Sequence, residues 1–502
     1  MTILRVLTLL MLSLSPITSA ADDVVTVIPR EDEAAILHNP DMGWVLYENY
    51  PLDANKNGSS TLLTLPDETF AAVDTVAIMF SWQDIEKRPD EYDFKRADYA
   101  YDYWRKRNKQ IQLRLSTESL LWWTRQAPPA GKGIPDYVLA NIPPDKRQIR
   151  TCDNIPYTVV DARDPYYLDR LDKFLAAVAA HFSQANHRPV TLVDLRGFGL
   201  WGEWHSGYQY ATLDDRRAAL IGVIDRYAAA FKDNYLALSY SYDPDGPRDL
   251  YPGPTNRFDE AFTKTYDDFL RFSAFDHALT LPNVTFRRDG AGGAVHSNER
   301  KLDEQAFRTL AKGPMFCEFV DGYAASKKGK KGWVEWKIDD ALSLHPNYVN
   351  LLGWQGADAR DFMKERPDLI DRGLRTMGYR LVPTKIQYPA RIRANVPFTF
   401  KSEWTNRAVG RAVRNYTLRL MLTTPDGKPI ATADAGPTGC DKWIKRQSYP
   451  LSHSVTFRDV PPGAYDLCLS LIDPRTNQPI ALPLAGAVAS STYKLGAIAV
   501  AP

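Results

Sequence analysis

Between residues 36 and 375, short apolar runs rich in β-branched residues alternate with stretches whose apolar positions recur at i, i+3 and i+4. The first pattern is that of buried strands and the second that of amphipathic helices; alternating, they make βα units around a parallel sheet. The strands predicted are Trp44 to Tyr47, Thr75 to Phe80, Ile111 to Leu115, Leu192 to Leu200, Leu236 to Tyr240, Val284 to Arg287, Met315 to Glu318 and Tyr348 to Trp354. Helices are predicted over Ala97 to Arg107, Tyr167 to Phe182, Leu213 to Phe231 and Glu299 to Ala311. Eight units in about 340 residues point to an α/β fold of the (β/α)8 barrel type, enlarged by insertions. An open doubly wound sheet is the alternative, but no GxGxxG follows the first strand.

After Tyr379 the period changes to two. Runs such as FTFKSEW, YTLRLMLTT and AYDLCLSLID, separated by the turn signals PDGK and PPG, predict an antiparallel β-sandwich over 380–502. The barrel is assigned to 21–379. Within it, Thr117 to Pro165 is too polar and proline-rich for a barrel element. It follows a strand, so it is placed on the face where barrels build their sites.

The first twenty residues carry one cation, Arg5, an apolar run from Val6 to Leu14, and small residues before Ala21. They read as a secretory signal peptide, and no later run reaches the roughly 18 apolar residues of a membrane span. A secreted or periplasmic protein is expected. Sixty-two Lys plus Arg balance sixty-one Asp plus Glu, which leaves no cationic excess for a nucleic-acid backbone. Four cysteines in an exported chain permit disulfides; Cys440 with Cys468 is the favoured pair, and Cys317 reads as a buried thiol. No cluster has metal-ligand spacing, and no cofactor is implied. Aromatic residues make up 12% of the chain, with twelve Trp, so a stacking surface or a large core needs explaining.

Two segments carry candidate chemistry. Gly197 to His205, GFGLWGEWH, places Glu203 between Trp201 and Trp204 at the end of the fourth strand; Pro314 to Asp321, PMFCEFVD, places Glu318 at the end of the seventh. Carboxylates there face each other across the barrel mouth, the arrangement that glycoside hydrolysis uses: one acid protonates the leaving oxygen and the other attacks the anomeric carbon or activates water. The alternative for Glu203 is an acid that hydrogen-bonds loop backbone, and for Arg288 and Asp289 a salt bridge at the mouth.

These positions, with Phe80 to Phe94 after the second strand, resemble the large clan of retaining (β/α)8 glycoside hydrolases, clan A. A closer resemblance is to bacterial proteins with paired DUF4874 and DUF4832 regions, through NPDMGW (Asn39 to Trp44), GLWGEW (Gly199 to Trp204), RRD (Arg287 to Asp289) and LIDPRT (Leu471 to Thr476). The resemblance implies Glu203 as acid/base and Glu318 as nucleophile. The chain departs from the clan at Gly202, where an Asn is usual, and at Arg287 to Asp289 in place of a Tyr or His, so Asp289 or Glu118 is an alternative partner in the acid role.

The carbohydrate site is expected to be completed by Trp44, Tyr47, Trp82, Glu118, Trp122, Trp201, Trp204, His205, Asp243, Arg288, Asp289 and Trp354, all at or beyond strand ends. The run Lys327 to Lys331 reads as a solvated loop or as a subsite for an acidic glycan. A non-catalytic glycan-binding protein on the same scaffold is the second reading. A lyase or esterase is the third, and no GxSxG elbow supports it.

Overall fold

A computed structural model describes residues 23–48, 67–118, 133–152, 155–199, 202–204, 210–240, 271, 273–293, 312–353, 356–489 and 491–502. Eight parallel strands close into a barrel: β1 (Gly43–Glu48), β2 (Val73–Ser81), β3 (Gln110–Ser116), β4 (Leu192–Arg196), β5 (Tyr235–Tyr240), β6 (Val284–Ala291), β7 (Phe316–Phe319) and β8 (Tyr348–Asn350). All eight lie where the apolar runs place them. β4 ends earlier than expected because Gly197 is pressed against Val223 and Tyr227, where a Cβ would come within 2.7 Å, and Gly199 turns through φ +80°. The expected ends at Leu200 and Trp354 lie outside the described residues.

Helices α1 (Lys95–Arg105), α2 (Pro165–His181) and α3 (Leu213–Ala230) match their predicted spans closely; α4 (Trp333–Ser343), α5 (Gly356–Glu365) and α6 (Pro367–Thr376) follow β7 and β8. Asp164 caps α2 by accepting from the Tyr166 and Tyr167 amides, and Thr212 caps α3 through the Asp215 amide. The helix expected over Glu299 to Ala311 lies outside the described residues. The Thr117 to Pro165 excursion holds a short helix, Asp136–Asn141, and a hairpin of Arg147–Cys152 with Ile155–Val160.

Alternation along the strands divides the core in two. Leu46, Val76, Leu113, Val193, Leu238 and Val349 face the helices in one large cluster, while Val45, Ala77, Leu192, Ala237, Phe316 and Tyr348 fill the barrel's interior with Tyr47.

The C-terminal region packs a four-stranded sheet against a larger one of five strands plus two short additions. The N-terminal strand Val24–Val27 pairs antiparallel with Leu381–Pro389, so residues before the barrel belong to this sandwich. Trp404 and Trp443 are both buried in its core, ring centroids 5.8 Å apart. The sandwich docks on the base of the barrel. Tyr235 Oη, at the start of β5, donates to the Val413 carbonyl; Asn347, before β8, donates to the Asp41 and Arg411 carbonyls; Arg414 pairs with Asp41, before β1. Asn39, which opens the NPDMGW segment, is bonded in both directions to Ala481 of the sandwich.

The expected Cys440–Cys468 disulfide does not form: both are buried thiols, as is Cys317. Cys440 Sγ accepts from the Tyr416 amide and lies 3.3 Å from the Arg414 carbonyl, whereas Cys468 contacts Thr423 on another strand. Burial pushes the Cys440 thiol up to about 11. Alkylation of unreduced, unfolded protein should therefore label Cys317, Cys440 and Cys468, and a Cys440–Cys468 cross-linked peptide in the mass map would refute the assignment.

His38 Nδ1 lies 2.6 Å from Asp74 Oδ1 at the barrel base and ties the N-terminal segment to β2. The Asp74 hydrogen bond raises the His38 pKa, and burial raises that of Asp74. Both shifts act in one sense. The histidine contribution is full below its unfolded value of about 6.5 and is lost as pH rises through its raised folded value, while that of Asp74 is full only below the unfolded carboxyl value of about 3.9 and is lost as pH rises through its own raised value. The stability gap between wild type and His38→Gln in urea should shrink as pH rises above about 6.5; a gap that stays constant as pH rises would contradict the pairing.

Candidate active site

Charged residues interrupt the apolar strands at positions whose side chains turn inward. β3 presents Gln112, Arg114 and Ser116; β4 presents Asp194 and Arg196; β6 presents Arg287 and Asp289; β7 presents Glu318. Arg114, Asp194, Arg196, Arg287 and Glu318 are all buried. Arg114 Nε lies 3.1 Å from Asp194 Oδ2 and its Nη2 2.9 Å from Glu318 Oε2. Arg196 Nη1 lies 3.3 Å from Asp194 Oδ2 and 3.9 Å from Glu318 Oε2, and its Nη2 3.2 Å from Glu203 Oε1. Arg287 pairs Nε with Asp194 Oδ1 at 3.2 Å, Nη2 with Asp289 Oδ2 at 3.0 Å, and Nη1 with Glu318 Oε2. The Arg114 Nε and Arg287 Nε contacts are charge pairs rather than aligned hydrogen bonds.

Four carboxylates thus answer three guanidiniums, so this cluster holds no cationic surplus for an acidic ligand. Burial and the neighbouring Arg196 push Arg114 down to about 10. Arg196 and Arg287 are raised instead: Asp194 is the foremost of the charges that outweigh the cost of their burial. Tyr47, from β1, lies beneath Arg114, whose guanidinium carbon is 3.9 Å from the ring centroid. Among the described residues the Tyr47 hydroxyl is buried without a hydrogen-bond partner, as are the polar side-chain atoms of Gln112 and the hydroxyls of Ser116 and Ser239. Such groups normally find water or a ligand.

Glu203 reaches the cluster because the chain after β4 doubles back. The Gly202 amide donates to Gly199, the Trp204 amide to Phe198, and Trp204 stands at φ +63°. Gly202 itself has φ +71°, and a Cβ there would lie 2.3 Å from Arg196 Cβ and 2.6 Å from its carbonyl oxygen. No side chain fits, so the position at which the clan carries Asn is occupied here by the strand beneath.

At Glu318 the three arginines converge on one oxygen. Oε2 takes Arg114, Arg287 and the longer approach of Arg196, and Oε1 has no partner among the described residues.

The other expected site residues divide sharply. Tyr47, Asp289, Glu203 and Glu318 meet in this cluster. Glu118, two residues past β3, is buried and accepts from the Gly199 amide at 2.7 Å, and so supports the turn after β4. Arg288 alternates to the other face from Arg287 and bonds the Asp289 carbonyl. Three tryptophans are not at the mouth, which corrects their own assignment to a stacking surface. Trp44 faces the helices, donating to the Ile370 carbonyl at 3.0 Å; Trp82 stacks on Phe174 and donates to Glu86 at 2.7 Å; Trp204 stacks on Phe198 and donates to the Leu195 carbonyl at 2.9 Å. Each indole is buried with its one donor satisfied, as a core Trp requires. Trp122, Trp201, His205, Asp243 and Trp354 lie outside the described residues. Of the lysine run, Lys327 pairs with Glu365, and Lys328, Lys330 and Lys331 are exposed.

Sequence reasoning missed Arg114, Asp194 and Arg196, and passed over Arg287 for its neighbour. The signal was present: QIQLRLS carries polar residues, Arg114 among them, at every second position, and LVDLR carries Asp194 and Arg196 two apart.

Among solved structures the chain is similar to an endo-β-1,4-mannanase from Thermotoga petrophila (11% identity, 91% of this chain and 97% of that one, TM-score 0.42). It is similar also to the catalytic domain of a β-amylase from Paenibacillus polymyxa (9%, 66% and 98%, 0.45) and to endo-glycoceramidase II from Rhodococcus sp. (12%, 84% and 99%, 0.39). No protein-family model and no curated protein matches the chain. At these identities and overlaps the likenesses assign neither substrate nor residue roles; those rest on the chain's own side chains.

Proposed function

We propose that the protein is a glycoside hydrolase, exported by its N-terminal segment, that cleaves an extracellular or periplasmic glycan with Glu318 as nucleophile and Glu203 as general acid/base. The observation that carries this reading is the asymmetry of Glu318: three guanidiniums hold Oε2, and Oε1 is left without a protein partner among the described residues. An anchored carboxylate with one unengaged oxygen suits attack on an anomeric carbon, since the anchor fixes the aim without occupying the attacking lone pair. Glu203 comes from the other side of the ring, is partly exposed, and shares Arg196 with Glu318. It protonates the leaving oxygen and then activates water on the glycosyl-enzyme, which is the retaining course. Tyr47, Gln112 and Ser116 supply donors and acceptors for sugar hydroxyls, and Asp289 is the alternative partner in the acid role.

A non-catalytic glycan-binding protein is the second reading, favoured by the closed space at Gly202, which denies the site the Asn usual in the clan. Both readings take a neutral glycan more readily than an acidic one, because the charges of the cluster are answered internally.

Reducing-sugar release from a broad glycan panel separates the two. Glu318→Gln and Glu203→Gln should each lower the rate on a cleaved substrate by about 10²–10⁴-fold while leaving glycan binding within a few-fold. Both variants retaining wild-type rates would remove the assignment, and saturable binding without product release from the wild type would favour the second reading.

A further inference from the structure

Asp194 has no partner in the chemistry above, yet every arginine of the cluster touches it. It sits on β4 with a side chain 1% exposed, Oδ2 facing Arg114 and Arg196 and Oδ1 facing Arg287. A guanidinium is a planar fork. Arg114 lies with Nε beside Asp194 and Nη2 on Glu318, and Arg287 with Nε beside Asp194, Nη1 on Glu318 and Nη2 on Asp289, both Nε approaches being charge pairs; Arg196 uses Nη1 for Asp194 and Nη2 for Glu203. One buried carboxylate therefore sets the rotation of three cations and, through them, the aim and potential at two other carboxylates.

We propose that Asp194 is the positioning residue that tunes Glu318 and Glu203 by holding the three guanidiniums between them, an inference that rests on reading those two as the catalytic pair. The charged groups facing Glu318 are Arg114 from β3, Arg196 from β4 and Arg287 from β6; Asp289 reaches it through Arg287, Glu203 through Arg196, and Tyr47 from β1 lies under Arg114. Neutralising Asp194 leaves the three cations facing fewer anions. The potential at both glutamates becomes more positive, and both ionise at lower pH.

The test is the pH profile of kcat/KM for Asp194→Asn on a substrate that the wild type cleaves. Both limbs should move to lower pH, by about one unit, with the variant's thermal midpoint measured alongside. Limbs that stay in place while only the amplitude falls describe a merely structural residue and overturn the proposal. If Asp194→Asn does not accumulate as folded protein, Arg114→Gln decides: it removes one shared cation, so the limbs should move to higher pH, and unmoved limbs overturn the proposal. A wild type that cleaves nothing overturns the catalytic reading instead. The link is then read from unfolding midpoints of Asp194→Asn, Glu318→Gln and the double variant: non-additive shifts sustain the shared-cation coupling, and additive shifts overturn it.

Discussion

Three guanidiniums inside a parallel barrel are the constraint around which the rest of the molecule is arranged. An unpaired charge at that depth costs several kcal/mol, and a buried pair is tolerated only with good geometry on both sides. Here the partners come from different strands: Arg114 from β3, Asp194 and Arg196 from β4, Arg287 from β6 and Glu318 from β7. A one-residue slip of any of these strands would turn its charge toward the apolar helices. The ion network is therefore a register device as well as a candidate site.

That constraint explains where the aromatic residues went. A polar interior cannot hold the strands by apolar packing alone, so the wall between barrel and helices carries more of it. Trp44, Trp82 and Trp104 are buried there, and Trp82 is joined to the ion pair of Glu86 and Arg170, which ties the turn after β2 to α2. The sandwich closes the base through backbone carbonyls and Asp41.

How much of this was legible follows from what each signal measures. Period-two and period-3.6 patterns report burial, and burial located eight strands, the principal helices and the sandwich. They do not report direction at a strand's end. Trp44 and Tyr47 are three positions apart in one strand, so one must face the helices and the other the lumen, yet both were read as pocket wall. Arg287 and Arg288 are adjacent and pose the same problem. Applied strictly, alternation from Phe316 and Glu318 would have resolved both, and it would have drawn attention to Arg114 and Asp194 as inward charges. The Cys440–Cys468 pairing was read from nearness in sequence, which says nothing about which sheet position each thiol occupies. Gly202 was read as a lost Asn; its backbone angle and the strand beneath it depend on a loop geometry that no local pattern encodes.

The same geometry unites stability and chemistry at Glu318. Satisfying three arginines would be possible with both of its oxygens, but the forks that Asp194 holds all converge on Oε2. The charge is thereby compensated and the side chain fixed, while Oε1 has no partner among the described residues. A carboxylate buried only for stability gains most when both oxygens are engaged. Leaving one unengaged, in a lumen lined by further unpartnered hydroxyl and amide groups, is what distinguishes a site built to receive a polar ligand from a buried salt bridge that only holds strands together.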